Sequence, residues 1–441
     1  MRRLPEMPGL HSAEAFNPAF LHAFFERAKA VETRPGEFED ALRGRVIATV
    51  FEEPSTRTRL SFESAALRLG AGVITVADPR TSSASKGESL RDTARTVGGY
   101  ADLIVWRHPA DGASRLASQF AEVPVVNGGD GRLGHPTQTL VDLYTLWREW
   151  GQIEGRTIAL MGDLNHGRTA RSLAWGLSLL GARMVLLPAP GLAWEEAVLD
   201  RILARVDYRR CSVRHPMFRS WTGKEKATLI EPRSLVQGEL FGRDEVELNH
   251  LDALYLTRLQ RERGAEEAMA SRGYGGLQVE QLADPLLKQT LLLHPLPRRE
   301  ELPEAVDEAP GARYFVQTRM GPIVRQAVFL ALLRPDRWSL PALHPLPAGD
   351  PDPGLGTCPN TNCISSPEGI PVPWRVEGRH ERHFLCAFCD APLPVEYAGC
   401  RSTRKLHPVH SPKVMRILPE NLRPFRERHG AMEAGYEWSG G

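Results

Sequence analysis

The sequence predicts an α/β fold of two doubly wound parallel-sheet domains, followed by a small C-terminal β domain of the zinc-ribbon type. Three observations support this prediction. Strand patterns alternate with helical patterns from the N-terminus to about residue 335, which is typical of parallel sheets covered on both faces. A stretch rich in proline and glycine, 336–357, ends the alternation. Four of the six cysteines then fall close together near the C-terminus, which favours a metal site over disulfides.

The first domain is predicted to span residues 1–150 and to begin with a helix at about 15–32. Its short, buried strands are predicted at 46–51, 73–77, 103–106 and 123–127. The helices between and after them are predicted at 58–69, 88–100, 113–120 and 136–150. Each strand is thus followed by a helix, as a parallel sheet requires.

The second domain is predicted at 151–335 and repeats the same pattern. Its strands are expected at 157–161, 183–187, 227–231, 253–256 and 290–293, with a helix at 167–180. A last helix, at about 321–334, is expected to pack back on the first domain. Residues 206–248 are the least readable part of the chain and are assigned no role. The cysteine-bearing domain is predicted at 358–410 and a tail at 411–441.

Composition excludes several classes of protein. The formal net charge is +1, the hydrophobic fraction is 42% and the charged fraction is 25%, as in ordinary globular proteins. Such a balanced charge provides no bulk field for recruiting nucleic acid or a membrane surface. No apolar run approaches the ~20 residues of a membrane-spanning helix, and the N-terminus lacks the apolar core of a signal peptide. We therefore expect a cytoplasmic protein with no nucleic-acid or membrane partner.

The segment after the first strand, residues 52–59, carries three hydroxyls and two guanidiniums at the predicted start of a helix. The free N–H groups and the positive dipole end of a helix favour an anion at this place. A hydroxyl N-cap beside solvated arginines is the plainer alternative. Two arginines within one turn repel each other, however, unless something negative lies between them. The segment therefore predicts a phosphate site.

This segment, Ser55-Thr56-Arg57-Thr58-Arg59 after a strand, resembles the carbamoyl phosphate-binding element of the aspartate and ornithine carbamoyltransferases. The resemblance implies the carbamoyltransferase fold for both domains. It also implies that the phosphate is held by Ser55, Thr56, Arg57 and Thr58.

Two later motifs, Arg107-His108-Pro109 and His135-Pro136-Thr137-Gln138, resemble further elements of the same family. Taken alone, a histidine before a proline is usually a helix-entry residue. In the family, the matching side chains bind the carbonyl oxygen of carbamoyl phosphate, which implies that role for Arg107 and His135, with Thr58 beside them and Gln138 near the amide. Such donors stabilise the negative charge that develops on this oxygen during attack by an amine.

The loop at 81–88 contains Lys86, one of only two lysines in the first 223 residues. An exposed loop lysine is one interpretation, and a mobile point charge that an arginine could not replace is the other. In the family, a serine and a lysine of the matching loop enter the active site of the neighbouring subunit. The resemblance implies this role for Ser82 and Lys86, with Lys86 contacting aspartate. The enzyme would then be a homo-oligomer built on a trimer with shared sites.

The stretch 162–169 lacks the three-glycine spacing of a dinucleotide-binding turn. It resembles instead the family element whose arginine, here Arg168, binds a carboxylate of aspartate. A second such element implies a similar role for Arg258 and Gln260, since two carboxylates need two cationic partners. The run His294-Pro295-Leu296-Pro297 resembles the aspartate-specific members, in which the leucine carbonyl, here that of Leu296, lies at the carbamoyl phosphate and accepts from the substrate amine. Glu52 departs from the family, which usually has an aromatic residue there.

The cysteine spacing is suited to tetrahedral zinc held by four thiolates, Cys358, Cys363, Cys386 and Cys389. A zinc ribbon that binds nucleic acid is an alternative. However, Cys358-Pro-Asn-Thr-Asn-Cys363 resembles the zinc domain of the family's regulatory chain, which docks on the catalytic chain. Ahead of it, the linker leaves no room for the regulatory nucleotide-binding domain. We expect structural Zn²⁺, no organic cofactor, and no regulation by ATP or CTP.

The resemblance implies transfer of the carbamoyl group from carbamoyl phosphate to L-aspartate in de novo pyrimidine (UMP) biosynthesis. Its catalytic residues would be Arg57, Thr58, Lys86, Arg107 and His135. The zinc domain would lie at chain–chain or trimer–trimer contacts, and other pyrimidine-pathway chains are possible partners. A catalytically silent scaffold and a carbamoyltransferase for another amino acid are the alternatives.

Overall fold

The computed structural model describes residues 9–77, 86–235, 244–260, 276–344, 355–378 and 382–439. Within these ranges the α/β class predicted from the sequence is confirmed. No helix in the described part of the chain is long and apolar enough to cross a membrane.

The first sheet has four parallel strands in the order β2-β1-β3-β4. They are β1 (Val46–Phe51), β2 (Gly72–Val76), β3 (Leu103–His108) and β4 (Val125–Asp130). The helices around them are α1 (Pro18–Thr33), α2 (Thr56–Arg68), α3 (Leu90–Gly98), α4 (Ala113–Ser118) and α5 (Pro136–Trp150). Because β1 and β3 are parallel and pair Phe51 with Arg107, the segments that follow them leave the sheet side by side. This edge carries the predicted phosphate motif.

The second sheet has seven strands in the order β11-β10-β5-β6-β8-β7-β9. They are β5 (Thr157–Gly162), β6 (Arg183–Pro188), β7 (Tyr208–Arg214), β8 (Thr228–Pro232), β9 (Glu245–Glu247), β10 (Ala253–Thr257) and β11 (Leu291–Leu293). The helices are α6 (Arg168–Leu179), α7 (Glu196–Leu203) and α8 (Phe218–Thr222). Strands β11, β10, β5 and β6 are parallel, whereas β8 runs antiparallel to β6 and to β7. Strands β8, β7 and β9, which come from the stretch that was given no role, thus extend the parallel sheet at one edge.

A long helix, α9 (Tyr314–Leu333), returns from the second sheet to the first domain. Phe329 lies against Phe62 of α2 with ring centroids 5.9 Å apart, and Arg325 stacks over the same Phe62 ring at 4.5 Å. The helix begins earlier than the predicted residue 321. The helix contains Pro322 in its interior.

The C-terminal part of the chain forms two small β units. The first, residues 355–396, is here called the cysteine module and contains the antiparallel pair β12 (Trp374–Glu377) and β13 (His383–Cys386). The second, here called the C-terminal sheet, contains β14 (Tyr397–Cys400), β15 (Lys405–Pro408), β16 (Leu422–Phe425) and β17 (Glu437–Trp438). Two short helices, α10 (Pro412–Met415) and α11 (Arg428–Glu433), lie between its strands.

The C-terminal sheet corrects the predicted boundary between the cysteine-bearing domain and the tail, at residues 410 and 411. The predicted tail, 411–441, supplies β16 and β17, and the predicted domain end at residue 410 falls inside one sheet. Strands of two to four residues are too short to show a period in the sequence, which explains the error. The predicted linker, 336–357, also has packed ends: Trp338 lies edge-on to Phe38 at 5.2 Å, and Leu355 is buried.

The cysteine module shares a hydrophobic core with the first domain. Trp106 and Leu116 of the first domain belong to one buried cluster with Leu355, Ile364 and Phe388. Because burial of apolar surface is the main favourable term in folding, this shared core holds the module on the first domain.

Candidate active site

The phosphate motif lies at the N-terminus of α2. Ser55 is the N-cap, with extended backbone angles (φ −162°, ψ 91°), and its hydroxyl makes no capping hydrogen bond. The helix begins at Thr56, two residues before the predicted start. The N–H groups of Thr56, Arg57 and Thr58 therefore have no intrahelical acceptor. With the positive end of the helix dipole, they form a binding site for an oxyanion.

Arg107 and Arg168 meet at one carboxylate, that of Glu53. Glu53 Oε2 lies 3.1 Å from Arg107 Nη2 and 3.3 Å from Arg168 Nη1. Arg107 also donates to the carbonyl of Gly128 at 3.2 Å, and Arg168 donates to the carbonyl of Gly131 at 2.8 Å. Arg107 lies near the end of β3 in the first sheet and Arg168 starts a helix of the second domain, so Glu53 joins the two domains at the site.

Gly129 allows this close approach. It has a φ of 112°, and a Cβ at this position would lie 2.9 Å from Arg107 Nη1 and 3.3 Å from Arg168 Cζ. Any side chain would therefore push against both guanidiniums and would also strain the backbone. Neither Gly129 nor Glu53 was predicted as a site residue. Glu53 carried one usable signal, a carboxylate between a strand and a cationic helix start.

His135 is a buried imidazole at the N-cap of α5. Burial and the nearby Arg325, Arg168 and Arg107 hold its pKa well below the usual value, so the ring is neutral near pH 7. His135 Nδ1 lies 3.4 Å from the Thr137 hydroxyl, and Nε2 has no hydrogen-bond partner among the residues that the structure describes. If the ring proton is assigned to Nε2, Nδ1 accepts from Thr137 and Nε2 is left to donate to a ligand oxygen.

Gln138 is oriented by a buried carboxylate one helical turn away. Its Nε2 donates to Asp142 Oδ1 at 2.7 Å. Asp142 also accepts from Gln317 Nε2 at 2.6 Å and from the Tyr255 hydroxyl at 2.9 Å. Burial raises the pKa of Asp142 to about 7, against the opposing effect of these hydrogen bonds. Because the Gln138 amide nitrogen is occupied, its oxygen is the atom left to accept from a carbamoyl N–H.

The phosphate motif faces the second domain. Burial and the nearby Arg258 lower the pKa of Arg57. Arg57 in turn contributes to the lowered pKa of His294, whose main cause is burial. The charges of Arg57 and Arg258 therefore repel each other, and an anion bound between the two guanidiniums would relieve this repulsion.

Asp163 joins the two predicted aspartate-binding elements. Its Oδ1 accepts from the backbone N–H of His166 at 2.9 Å, and its Oδ2 accepts from the backbone N–H of Gln260 at 3.1 Å. The loop before α6 and the loop after β10 are thus held side by side. The site therefore receives Arg168 and Arg258 from two adjacent loops of one sheet.

Leu296 lies in the loop after β11, with a φ of 52° and a cis peptide bond to Pro297. Its backbone N–H donates to His294 Nδ1 at 2.8 Å, and His294 Nε2 pairs with Glu301 at 3.0 Å. The buried imidazole thus fixes the turn that carries the Leu296 carbonyl.

Lys86 is exposed, in the turn before α3. Ser82 lies outside the described residues. Glu52, the departure from the family pattern, accepts from Trp106 Nε1 at 2.9 Å and lies 3.4 Å from His108 Nε2. Its charge is therefore directed to an indole and an imidazole, away from the N-terminus of α2.

The four predicted metal ligands lie together. The sulfur atoms of Cys358, Cys363, Cys386 and Cys389 are buried and within 4.8 Å of one another. The Cys358–Cys389 and Cys363–Cys386 sulfur pairs are 3.4 and 3.8 Å apart. Tetrahedral Zn–S bonds of about 2.3 Å give S–S edges of roughly 3.8 Å, so the cluster fits a metal with four thiolate ligands. With four protein ligands no position remains for a substrate, which indicates a structural site.

Family models match two parts of the chain. Residues 9–149 match the carbamoyl phosphate-binding domain of aspartate and ornithine carbamoyltransferases. Residues 354–396 match the metal-binding domain of the aspartate carbamoyltransferase regulatory chain. The second match contains the whole cysteine cluster.

Individual relatives each cover more than two thirds of the chain. The catalytic subunit of aspartate carbamoyltransferase from Thermoplasma acidophilum is 42% identical over 299 residues, covering 68% of this chain and 88% of that protein. The same subunit from Methanopyrus kandleri is 42% identical over 310 residues, covering 70% and 90%. The catalytic subunit of M. jannaschii aspartate transcarbamoylase has a TM-score of 0.60 at 36% identity, covering 75% and 99%. Trypanosoma cruzi aspartate transcarbamoylase, solved with N-(phosphonacetyl)-L-aspartic acid, has a TM-score of 0.58 at 31% identity, covering 76% and 97%.

Proposed function

The chain belongs to the aspartate carbamoyltransferase family, with a region like the metal-binding domain of the regulatory chain fused after the catalytic region, and we propose that it carbamoylates L-aspartate. Carbamoyl phosphate is the donor, and N-carbamoyl-L-aspartate and phosphate are the products. The observation that carries the proposal is the pair Arg107 and Arg168, held by Glu53 beside the N-terminus of α2. This arrangement supports a single site in which one cation serves the carbamoyl carbonyl and the other serves a substrate carboxylate.

The donor binds with its phosphate at the start of α2. The phosphate ligands are Ser55, Thr56, Arg57 and Thr58. The carbonyl oxygen of the carbamoyl group accepts from Thr58, Arg107 and the neutral His135. Donors that are already in place when charge develops on this oxygen lower the barrier, typically by a few kcal/mol each. The Gln138 side-chain nitrogen donates to Asp142, so the Gln138 side-chain oxygen accepts from the carbamoyl amide.

Aspartate binds on the second-domain side of the site. Arg168 and Arg258 each hold one carboxylate, with Gln260 beside them, and the Leu296 carbonyl accepts from the amine. The uncharged amine attacks the carbamoyl carbon, the new C–N bond forms, and the C–O bond to phosphate breaks. The departing phosphate takes the proton, since its pKa near neutrality and its position suit that role.

Shared sites in a homotrimer complete the proposal. Leu60 and Leu67 of α2, Ile74 of the edge strand β2, and Tyr100 after α3 are large apolar side chains with 41–69% of their surface exposed. Exposed large apolar side chains favour a protein partner. In the proposed trimer a neighbouring copy binds at these residues, and the site of that copy receives Lys86 and Ser82. The cysteine cluster binds structural Zn²⁺, and no organic cofactor is required.

The remaining assignments follow from this activity. We assign residues 1–150 to the carbamoyl phosphate domain and 151–335 to the aspartate domain. The reaction belongs to de novo pyrimidine biosynthesis, in the cytoplasm. Because a proline-rich linker stands before Cys358 in place of a nucleotide-binding domain, CTP is expected to leave the aspartate saturation curve unchanged.

Complementation between inactive variants tests the activity and the shared site together. Arg57→Ala and Lys86→Ala are each expected to lose at least about 100-fold in rate, whereas a co-expressed mixture regains activity, because some interfaces then carry neither lesion. Each variant co-expressed with itself is the control. Carbamoyl-aspartate is measured, with ornithine as the competing acceptor. A wild type that is inactive with zinc present would favour the silent-scaffold alternative, and a preference for ornithine would favour another substrate.

A further inference from the structure

A glutamate of the cysteine module contacts the start of α3. Glu368 Oε1 accepts from the backbone N–H of Leu90 at 2.7 Å, and Oε2 accepts from Arg91 Nε at 3.2 Å. The backbone carbonyl of Glu368 also accepts from Arg91 Nη2 at 3.4 Å. Only 9% of the Glu368 side chain is exposed. This contact joins parts of the chain that are 278 residues apart.

The contact supplies what the helix itself lacks. Ser89 is the N-cap of α3, and its hydroxyl accepts from the N–H of Asp92 at 3.2 Å. The N–H of Leu90, at the first helical position, has no acceptor within the helix. The Glu368 carboxylate provides that acceptor, and its negative charge lies at the positive end of the helix dipole.

Glu368 is carried on a turn that is fixed at both ends. The turn begins at the metal ligand Cys363, whose sulfur accepts from Ser365 Oγ at 3.1 Å. Ile364 donates to the Asp111 carbonyl of the first domain at 3.0 Å. The N–H of Ile370 then closes the turn on the Ser365 carbonyl at 3.0 Å. The carboxylate therefore has a defined position relative to the first domain.

Lys86 lies four residues before Leu90. A chain of four residues spans at most roughly 14 Å, so the position of Leu90 limits where Lys86 can be. Gly87, between them, has a φ of 86°, which turns the chain sharply. A shift at the start of α3 would therefore reach Lys86 through a short connection.

We propose that Glu368 is a positioning residue for Lys86, through which the cysteine module of one chain acts on the active site of the neighbouring subunit. The inference rests on the proposed function, because it requires that Lys86 acts in a shared site. Glu368 does not touch substrate. It fixes the helix start from which the Lys86 segment extends.

Hybrid enzymes test this directly, because they separate the chain that donates Lys86 from the chain that donates Arg57. The reference hybrid contains an Arg57→Ala chain and a Lys86→Ala chain, so its intact sites take Lys86 from the first and Arg57 from the second. In one test hybrid, Glu368→Ala is added to the Arg57→Ala chain. In the matched control hybrid, Glu368→Ala is added to the Lys86→Ala chain.

We expect a loss of activity only in the hybrid whose Lys86-donating chain carries Glu368→Ala. In the test hybrid, kcat/KM for aspartate falls about 10-fold, since small displacements of an active-site group are costly. The control hybrid stays at the reference level. Equal losses in both hybrids, or no loss in either, would overturn the proposal. A reference hybrid that is inactive beside an active wild type would overturn the shared site itself, and this inference with it.

Hydrogen exchange gives a second readout that does not depend on activity. Glu368→Ala should raise the hydrogen-exchange rate at Leu90. Glu368→Gln keeps an acceptor oxygen, so it should retain part of the protection from exchange and part of the catalytic activity. Unchanged exchange at Leu90 in a folded Glu368→Ala chain would contradict the contact on which the proposal depends.

Discussion

At the scale of single residues, three carboxylates hold the side chains and loops of the candidate site in place. Glu53 holds Arg107 and Arg168, Asp163 ties two loops together, and Asp142 orients Gln138. In the proposed mechanism they keep the hydrogen-bond donors in place before the substrate binds. Donors that are already oriented lower the barrier, because they need not reorganise during the reaction. Motifs made of arginine, histidine and threonine identify the donors, whereas the carboxylates become visible only when the fold brings both partners together.

Asp142 predicts a pH dependence of stability. Its pKa is about 7 in the folded chain and near 3.8 in the unfolded chain, so the folded state binds this proton more tightly. The stability contributed by the neutral form is therefore complete below about pH 4 and is lost as the pH rises to about 7. Asp142→Asn cannot titrate, and its stability relative to wild type should rise by a few kcal/mol between pH 5 and 8.

The measurement is the urea midpoint of both proteins at several pH values. Asp40→Asn is the control, because that carboxylate lies on the surface with 65% of its side chain exposed. If the urea midpoints of the wild type and of Asp142→Asn change in parallel from pH 5 to 8, Asp142 does not titrate in this range.

At the scale of secondary structure, the positions of the strands were predicted better than the pairing and direction of the strands in each sheet. Apolar runs such as 157–161 identified central strands within one or two residues, because a strand buried on both faces has a continuous apolar pattern. The antiparallel direction of β8 and the folding of 411–439 were missed. Both depend on contacts between distant segments, and strands of two to four residues leave no period to detect.

The cysteine cluster provides the prediction at this scale. Cys363→Ser removes one of four thiolates, so zinc should be lost to a chelator that leaves the wild type loaded. Because a module of about 40 residues has little core of its own, the pair β12–β13 should then exchange its amide protons faster. Cys400→Ser is the matched control: Cys400 is also buried but lies outside the cluster, in β14. Equal zinc retention by both variants would contradict a four-cysteine site.

At the scale of the whole molecule, a buried charge cluster joins the two α/β domains and the cysteine module. Arg201 of α7 in the second domain donates to Glu14 at 3.0 Å, and Arg375 of the cysteine module donates to the same carboxylate at 2.8 Å. Arg115 of the first domain and Arg375 both pair with Asp390, at 2.8 and 2.6 Å. This junction could not be predicted from the sequence, because each of its charges looks like an ordinary surface charge until the three units pack together.

Glu14→Gln tests whether this junction holds the three units in place. The amide keeps the shape of the side chain but removes its charge, which leaves Arg201 and Arg375 buried with less compensation. Breaking a buried ion pair in this way costs about 3–5 kcal/mol. We therefore expect a clearly lower urea midpoint, and faster hydrogen exchange in α7 and β12, which the cluster joins. Glu437→Gln breaks an exposed pair with Lys405 and serves as the control, with little expected change. If both variants unfold at the same urea concentration as wild type, the junction contributes packing only, and the shared core of the first domain and the cysteine module must hold the molecule together without it.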